Sequence, residues 1–127
     1  MATKILIVED NKEFRIMLKT FLEKQRLGLE VYEASSGEMG VAKSSFIKPD
    51  IILMDINLPN ANGLEATVVL KDDNPTCEVI IITMLDTKYF KKMSQDMNVS
   101  AFIAKSDIYE KLVPEIKSCI EKRKMKV

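Results

Sequence analysis

Short apolar segments rich in β-branched residues alternate five times with longer segments of helical periodicity. The apolar segments cover residues 5–8, 29–34, 51–54, 79–82 and 101–104, of which 29–34 is the least apolar. Strands buried on both faces have this character, and strands separated by helical crossovers pair in parallel. The alternation therefore predicts a single α/β domain with a parallel sheet between two layers of helices.

Local signals place the ends of the first two predicted helices. The first helix has one apolar stripe: Phe14, Met17, Leu18, Phe21 and Leu22. Its expected cap is Asp10 or Asn11, and its expected end lies near Gly28. Ser35 and Glu38 have the spacing of a capping box, which predicts the start of the second helix.

The later helices follow from the same periodicity. The third carries Leu64, Val68 and Leu70 and is expected to end at the Asp73-Asn74-Pro75 sequence. The apolar faces of the fourth and fifth are Tyr89, Phe90, Met93 and Met97, and Leu112, Val113, Ile116 and Ile120. Pro114 either kinks the fifth helix or marks a first turn that begins late.

Five strands in this arrangement predict the doubly wound, flavodoxin-like strand order 2-1-3-4-5. In that order the direction of winding reverses between strands 1 and 3, and a crevice opens at their carboxyl ends. Ligands of such folds bind in the crevice. The residues that directly follow the strands are therefore the candidates for a functional site.

Length and composition exclude several classes of protein. A chain of 127 residues fits one domain, 1–127, and can bury enough surface to fold without a disulfide or a metal. The longest apolar runs have four residues, which rules out a bilayer-spanning helix. Glu9 and Asp10 interrupt the N-terminal apolar run, so we expect no signal peptide and a cytoplasmic location. Cys77 and Cys119 are then expected to be free thiols.

Charge and residue types restrict the chemistry further. Nineteen basic and nineteen acidic residues give a net charge of zero, which argues against direct binding of nucleic acid. The chain has no histidine, so it has no Ser-His or Cys-His catalytic pair and no His-ligated zinc site. Any chemistry must rely on carboxylates, lysines and hydroxyls.

Carboxylates, a hydroxyl and a lysine directly follow four of the predicted strands. Strand 1 is followed by Glu9 and Asp10 and strand 3 by Asp55, while Thr83 and Lys105 follow strands 4 and 5. Two like charges about 4 Å apart repel by about 4 kcal/mol at an effective dielectric of 20, so three acids in one crevice require a proton or a cation. Oxygen ligands with room for water suit Mg²⁺. Each residue alone could be structural, such as Asp10 as a helix cap, but the combination favours a site.

With these residues at its strand ends, the chain resembles the receiver domains of bacterial two-component response regulators. The resemblance covers Lys4 to about Lys124. Its motifs are the acidic pair Glu9-Asp10, the strand 51–55 followed by Leu58-Pro59 and Gly63, the pair Ile82-Thr83 and the segment 102–105 that ends in Lys105.

The resemblance implies a phosphorylation switch. Asp55 would be the nucleophile that takes a phosphoryl group from a phosphohistidine of a sensor histidine kinase or histidine phosphotransfer protein. Asp10, Asp55 and the main-chain carbonyl of Asn57 would bind Mg²⁺, and Glu9 would reach the ion through water. Lys105 would pair with a phosphoryl oxygen.

The resemblance also implies how the signal leaves the domain. Thr83 would move inward to the phosphoryl group, and Phe102 would change rotamer as the switch aromatic, although it could equally be a core residue. The output face would consist of the fourth helix, the fifth strand and the fifth helix, and here it would include Tyr89, Phe102 and Tyr109. Phosphorylation-dependent dimers would form through the same face. It would act on a downstream protein or on a C-terminal effector domain, with no membrane contact. Such a domain phosphorylates and dephosphorylates itself but is no turnover enzyme.

Two neighbours of the site depart from the family pattern. Met84 follows Thr83 where a small residue is usual, which would narrow access or slow dephosphorylation. Ser106 follows Lys105 where proline is usual, and a cis bond there would cost about 2.5–4 kcal/mol without proline. Ala61 and Asn62 also replace more typical loop residues.

Three other functions fit these residues less well. An FMN carrier needs a hydroxyl- and glycine-rich phosphate loop after strand 1, where this chain has acids. A phosphatase of the haloacid dehalogenase type needs a second acid two residues after its nucleophile, where this chain has Asn57, an amide that cannot act as a general acid. A receiver-like interaction module that is never phosphorylated stays open because of Met84.

Overall fold

The structure, a computed structural model, describes residues 2–57, 63–84 and 98–125. Five parallel strands form one sheet: β1 Thr3–Val8, β2 Leu29–Ala34, β3 Ile51–Asp55, β4 Glu78–Thr83 and β5 Ala101–Ala104. Their order is β2-β1-β3-β4-β5, so the predicted topology is confirmed. The crevice between β1 and β3 lies at the point where the winding reverses.

Four helices are described: α1 Lys12–Glu23, α2 Gly37–Ile47, α3 Gly63–Asp73 and α4 Ile108–Met125. A 3₁₀ turn, Lys105–Asp107, joins β5 to α4. The predicted fourth helix, with Tyr89, Phe90, Met93 and Met97, lies outside the described residues, so α4 is the fifth helix of the sequence prediction. None of the described helices has the length and apolar character needed to cross a membrane.

The core consists of two clusters, one on each side of the sheet. Alternate strand residues face alternate sides: Ile5 and Ile7 join the cluster beneath α1 and α4, whereas Leu6 and Val8 join the cluster beneath α2 and α3. All four side chains are fully buried. Cys77 and Cys119 are buried free thiols, and burial raises the pKa of each.

The structure confirms one of the two predicted caps of α1 and corrects the position at which this helix ends. Helix α1 is capped by Asn11, whose Oδ1 accepts the N–H of Phe14 at 2.8 Å, but it ends at Glu23 and not near Gly28. The chain needs residues 24–28 to turn into β2, and Arg26 and Gly28 adopt positive φ there.

Ser36 caps α2, and the predicted capping box at Ser35 is wrong by one residue. The Ser36 Oγ accepts the Met39 N–H at 3.1 Å, whereas the Ser35 hydroxyl donates to the Met39 sulfur. The observed register buries Gly40 against Val8, where a Cβ would lie 2.9 Å from a valine methyl. Close packing of α2 on β1 therefore favours this start.

One prediction about the later helices is also wrong, and one of the two alternatives for Pro114 is excluded. Val68 is half exposed, and the buried residue beside it is Thr67, whose Oγ1 donates to the Gly63 carbonyl at 2.7 Å. This hydrogen bond removes the cost of burying the hydroxyl. Helix α4 begins six residues before Pro114, so the proline does not mark a late first turn.

Candidate functional site

Three carboxylates meet at the carboxyl ends of β1 and β3. Glu9 and Asp10 directly follow β1, and Asp55 is the last residue of β3, its neighbour in the sheet. One oxygen of each side chain lies within 4.8 Å of the others. We call these three residues the carboxylate cluster. This convergence was predicted from the positions of the acids at the strand ends. Glu9 and Asp55 are buried, whereas Asp10 is exposed.

Lys105 joins the carboxylate cluster from the end of β5. Its Nζ lies 2.5 Å from Glu9 Oε1 and 3.4 Å from Asp55 Oδ2. The ammonium also lies 4.5 Å from the centre of the Phe14 ring, a cation–π contact. With the acids on one side and the ring on another, Lys105 is held directly beside the Asp55 carboxylate.

Burial and charge shift the protonation of this site. Burial, followed by a hydrogen bond and charge repulsion with Asp55, raises the pKa of Glu9 from 4.5 to about 7, while Lys105 opposes the shift. Burial by itself would lower the pKa of Lys105, but Glu9 and Asp55 reverse this and raise it. Below about pH 7 a proton on Glu9 and the Lys105 ammonium therefore together offset part of the negative charge of the carboxylate cluster.

The raised pKa of Glu9 predicts a specific pH dependence of stability. The folded state keeps a proton on Glu9 up to about pH 7, whereas the unfolded state loses it near 4.5. In chelator the free energy of unfolding therefore falls as pH rises from about 4.5 to about 7 and levels off above that. We expect Glu9→Gln to gain stability relative to the wild type over this range, by roughly 3 kcal/mol at about 1.4 kcal/mol per pKa unit. Urea titrations from pH 5 to 8 measure the difference, and a constant difference would contradict the shift.

The backbone after β3 orients the Asp55 carboxylate. Its Oδ1 accepts the N–H of Asn57 at 2.9 Å, while Oδ2 faces Lys105. Gly63, the first residue of α3, lies directly against this segment: a Cβ there would be 2.4 Å from the Asp55 carbonyl oxygen and 2.5 Å from Ile56 Cα. The close approach of α3 thus requires glycine at position 63.

The other predicted site residues lie on or beside these strands. Thr83 is the buried last residue of β4, and the strand register pairs Ala104, which precedes Lys105, with Thr83. Asn57 is exposed. Phe102 is partly buried and packs on the cluster beneath α2 and α3, whereas the Tyr109 ring contacts Phe21 of α1, 4.9 Å between centroids. The predicted output residues Phe102 and Tyr109 therefore contact opposite sides of the sheet.

The departures from the family pattern are partly visible. Met84 is 75% exposed, and the Lys105–Ser106 bond is trans, since no peptide bond among the described residues is cis. Leu58, Pro59, Ala61 and Asn62 lie outside the described residues, as does Tyr89.

Sequence reasoning missed two residues that support the site. Phe14 was assigned only to the apolar stripe of α1, yet its ring contacts the Lys105 ammonium. Arg15 donates from Nη1 to the main-chain carbonyl of Glu9 at 2.8 Å and pairs with Glu33 at 3.1 Å. A cation one turn into the helix after an acidic strand end was the available signal for Arg15.

Known proteins with similar sequences come from bacterial signalling. Response regulator protein VraR of Staphylococcus epidermidis is 33% identical over 108 residues, which are 84% of this chain and 51% of that protein. VraR of Staphylococcus aureus matches to the same extent. The chain spans about half the length of these curated relatives.

Solved structures agree with the fold. A response regulator receiver domain protein from Clostridium thermocellum superposes with a TM-score of 0.90 at 23% identity and covers 98% of this chain and 99% of that one, a likeness of fold alone. A CheY-like receiver domain protein from Methanospirillum hungatei gives 0.81 at 25% identity, covering 96% and 99%. The family model described as the response regulator receiver domain matches residues 5–117. The chain therefore belongs to the response regulator receiver domain family.

Proposed function

We propose that residues 1–127 form a single receiver domain that is switched by phosphorylation of Asp55. The phosphoryl group comes from a phosphohistidine on a sensor histidine kinase or histidine phosphotransfer protein, in a reaction that requires Mg²⁺. The observation that supports this most directly is the position of the Asp55 carboxylate, within 4.8 Å of two other acids and 3.4 Å from an ammonium.

Asp55 is the nucleophile in this proposal. One of its carboxylate oxygens attacks phosphorus, and the oxygen–phosphorus bond forms as the bond from phosphorus to the donor imidazole nitrogen breaks. The electron pair of that bond stays on the imidazole, and the product on this chain is an acyl phosphate. The Asn57 N–H on Oδ1 and Lys105 beside Oδ2 fix the orientation of the carboxylate before attack.

The carboxylate cluster is the proposed Mg²⁺ site. Its donors are all oxygens, one acid is at the surface where water can complete the coordination, and this set fits Mg²⁺. When bound, the ion neutralises charge on the transferring phosphoryl oxygens. Asp10 and Asp55 would ligate directly, Glu9 through water, and the Asn57 carbonyl would add a further ligand.

Lys105 and Thr83 are the proposed phosphoryl-binding groups. Lys105 is already directed at Asp55 by Glu9 and Phe14, so it can pair with a phosphoryl oxygen with little rearrangement. Thr83 at the end of β4 would donate its hydroxyl to another oxygen. A phosphoryl group adds a charge of about −1.5 to −2 and three acceptors, enough to draw a nearby hydroxyl inward.

The proposed readout is a surface change at the face of the predicted fourth helix, fifth strand and fifth helix. Phe102, next to Ile103 on β5, would follow the motion of Thr83. A downstream protein, an effector domain or a second phosphorylated copy would bind this face. The receiver would catalyse its own phosphorylation and dephosphorylation without turning over an external substrate.

Acetyl phosphate with Mg²⁺ tests the proposal. We expect a mass increase of one phosphoryl group that is lost in Asp55→Asn and in chelator, and retained in the matched surface variant Asp72→Asn. Absence of an adduct with both acetyl phosphate and beryllofluoride would instead support a phosphorylation-independent interaction module.

A further inference from the structure

Helix α2 exposes two large apolar side chains, Met39 and Phe46, to solvent. The residues it buries against the sheet are small: Gly37, Gly40 and Ser44. Met39, Ala42 and Phe46 face outward at i, i+3 and i+7, and Phe46 is 93% exposed. We call these three outward residues the α2 stripe. Neighbouring exposed apolar side chains of this kind mark interaction sites on protein surfaces.

A cleft beside the α2 stripe provides a matching cavity. It has a volume of about 400 Å³ and lies between α2 and α3. Its apolar walls are Val41, Ala42, Ala66 and Val69. Glu38 and Glu65 form its polar rim, with no cation among the lining residues. An occupant therefore needs a large apolar side chain and a nearby positive charge.

We propose that a second copy of this chain covers the α2 stripe, in an antiparallel α2–α2 dimer with its two-fold axis at Ala42. This interface goes beyond the phosphorylation switch: its residues are exposed without a phosphoryl group, and it is separate from the face assigned to the readout. The chain itself supplies both features that the cleft requires.

The helical geometry places the apolar residues in register. With the axis at Ala42, each residue meets the one equally far from Ala42 in the opposite direction. Phe46 lies about 6 Å along the helix from Ala42 at 1.5 Å per residue, level with Glu38 and beside Met39 of the second copy. Its ring would enter the cleft of that copy, next to a thioether that packs well on aromatic rings. The small Ala42 side chain permits close approach of the two helices.

The charges of α2 are complementary in the same arrangement. Glu38 lies four residues before Ala42, and Lys48 follows the helix six residues after it. Both side chains are exposed, and neither forms an ion pair with another described residue. Antiparallel pairing brings Lys48 of one copy to within about 3 Å, along the axis, of the level of Glu38 of the other. Two symmetric ion pairs at the rim would favour this orientation over the parallel one.

Sedimentation equilibrium of the unphosphorylated chain tests the dimer. A patch formed by one helix and a cleft is smaller than the roughly 800 Å² per partner of a standard interface. We therefore expect weak dimerisation that depends on protein concentration, with a dissociation constant of up to about 1 mM. Phe46→Ser should raise the dissociation constant at least about tenfold, as loss of a central aromatic does. The control Ile16→Ser removes a large apolar residue that is half exposed on α1 and should leave the dissociation constant unchanged.

A cysteine at the two-fold axis tests the geometry. Ala42→Cys should form an intermolecular disulfide on mild oxidation, and Phe46→Ser in the same chain should prevent it, whereas Lys117→Cys on α4 should not cross-link. The proposal is overturned by a monomer at every concentration, or by a dimer that cross-links no better through position 42 than through position 117. It is also overturned if α2 becomes protected from hydrogen exchange only in a longer chain, which would identify an intramolecular occupant. Asp55→Asn must dimerise like the wild type, so failure of the phosphorylation proposal leaves this test unaffected.

Discussion

Gly63→Ala is expected to destabilise the fold by about 3 kcal/mol or more and to slow phosphorylation of Asp55. Overpacking of a well-packed site costs about 1–3 kcal/mol, and this methyl would meet main-chain atoms that cannot rotate away. Its distances would be 2.4 Å to the Asp55 carbonyl oxygen and 2.5 Å to Ile56 Cα. Either α3 moves outward or the segment that carries the proposed nucleophile moves, and the second response misplaces the Asp55 carboxylate.

Other glycines of the chain provide graded controls for this prediction. At Gly40 an added Cβ would meet only the Val8 side chain, at 2.9 Å, and at Gly28 it would meet no atom within 4 Å, leaving only the cost of a positive φ. We therefore expect the loss measured by urea unfolding to be largest for Gly63→Ala. Equal losses at positions 63 and 28 would show that conformation, and not close approach, determines the need for glycine.

Lys105→Met should have the second large effect, on stability and on phosphoryl transfer. Methionine keeps the approximate length of the side chain, but it loses the cation–π contact with Phe14 and leaves Glu9 and Asp55 without their cation. Breaking a buried ion pair by removing one partner costs about 3–5 kcal/mol, and we expect this range in chelator at pH 8. Loss of a preorganised charge beside the phosphoryl oxygens should slow acyl phosphate formation at least about 100-fold.

Three measurements separate this electrostatic cause from a general loss of packing. Mg²⁺, or a lower pH that protonates Glu9, should restore much of the stability of Lys105→Met. Adding Glu9→Gln to Lys105→Met should restore it as well. Lys111→Met removes an exposed ion pair with Asp107 at 3.4 Å and should change stability by at most about 0.5 kcal/mol. A Lys105→Met protein that is insensitive to Mg²⁺, pH and Glu9→Gln would contradict the assigned role of the ammonium.

The strand-end argument succeeded because parallel strands leave little freedom at their ends. Residues that follow neighbouring strands must lie at the same edge of the sheet, so the convergence of Glu9, Asp10 and Asp55 could be inferred from positions in the sequence alone. The strands 29–34 and 101–104 also have the predicted bounds. Both inferences use only short apolar runs and the order of the segments along the chain, which can be read directly from the sequence.

Two of the errors concern choices between adjacent residues of similar size or chemistry. Ser35 and Ser36 are both good caps, and close packing of Gly40 on Val8 accompanies the observed choice of Ser36. Val68 is more apolar than Thr67, but a hydrogen bond to the Gly63 carbonyl allows the threonine to be buried instead. Such choices depend on contacts between distant segments, and differ by energies too small for local propensity to resolve.

The order of apolar and polar segments by itself determined the sheet topology and the edge at which the acids meet, because strand pairing and handed crossovers leave few alternatives. Only the tertiary structure decided how the acids are neutralised and which faces stay uncovered. The burial of Glu9, the contact of Lys105 with Phe14 and the outward direction of Phe46 arise from packing between elements far apart in the chain, and no local pattern encodes those distances.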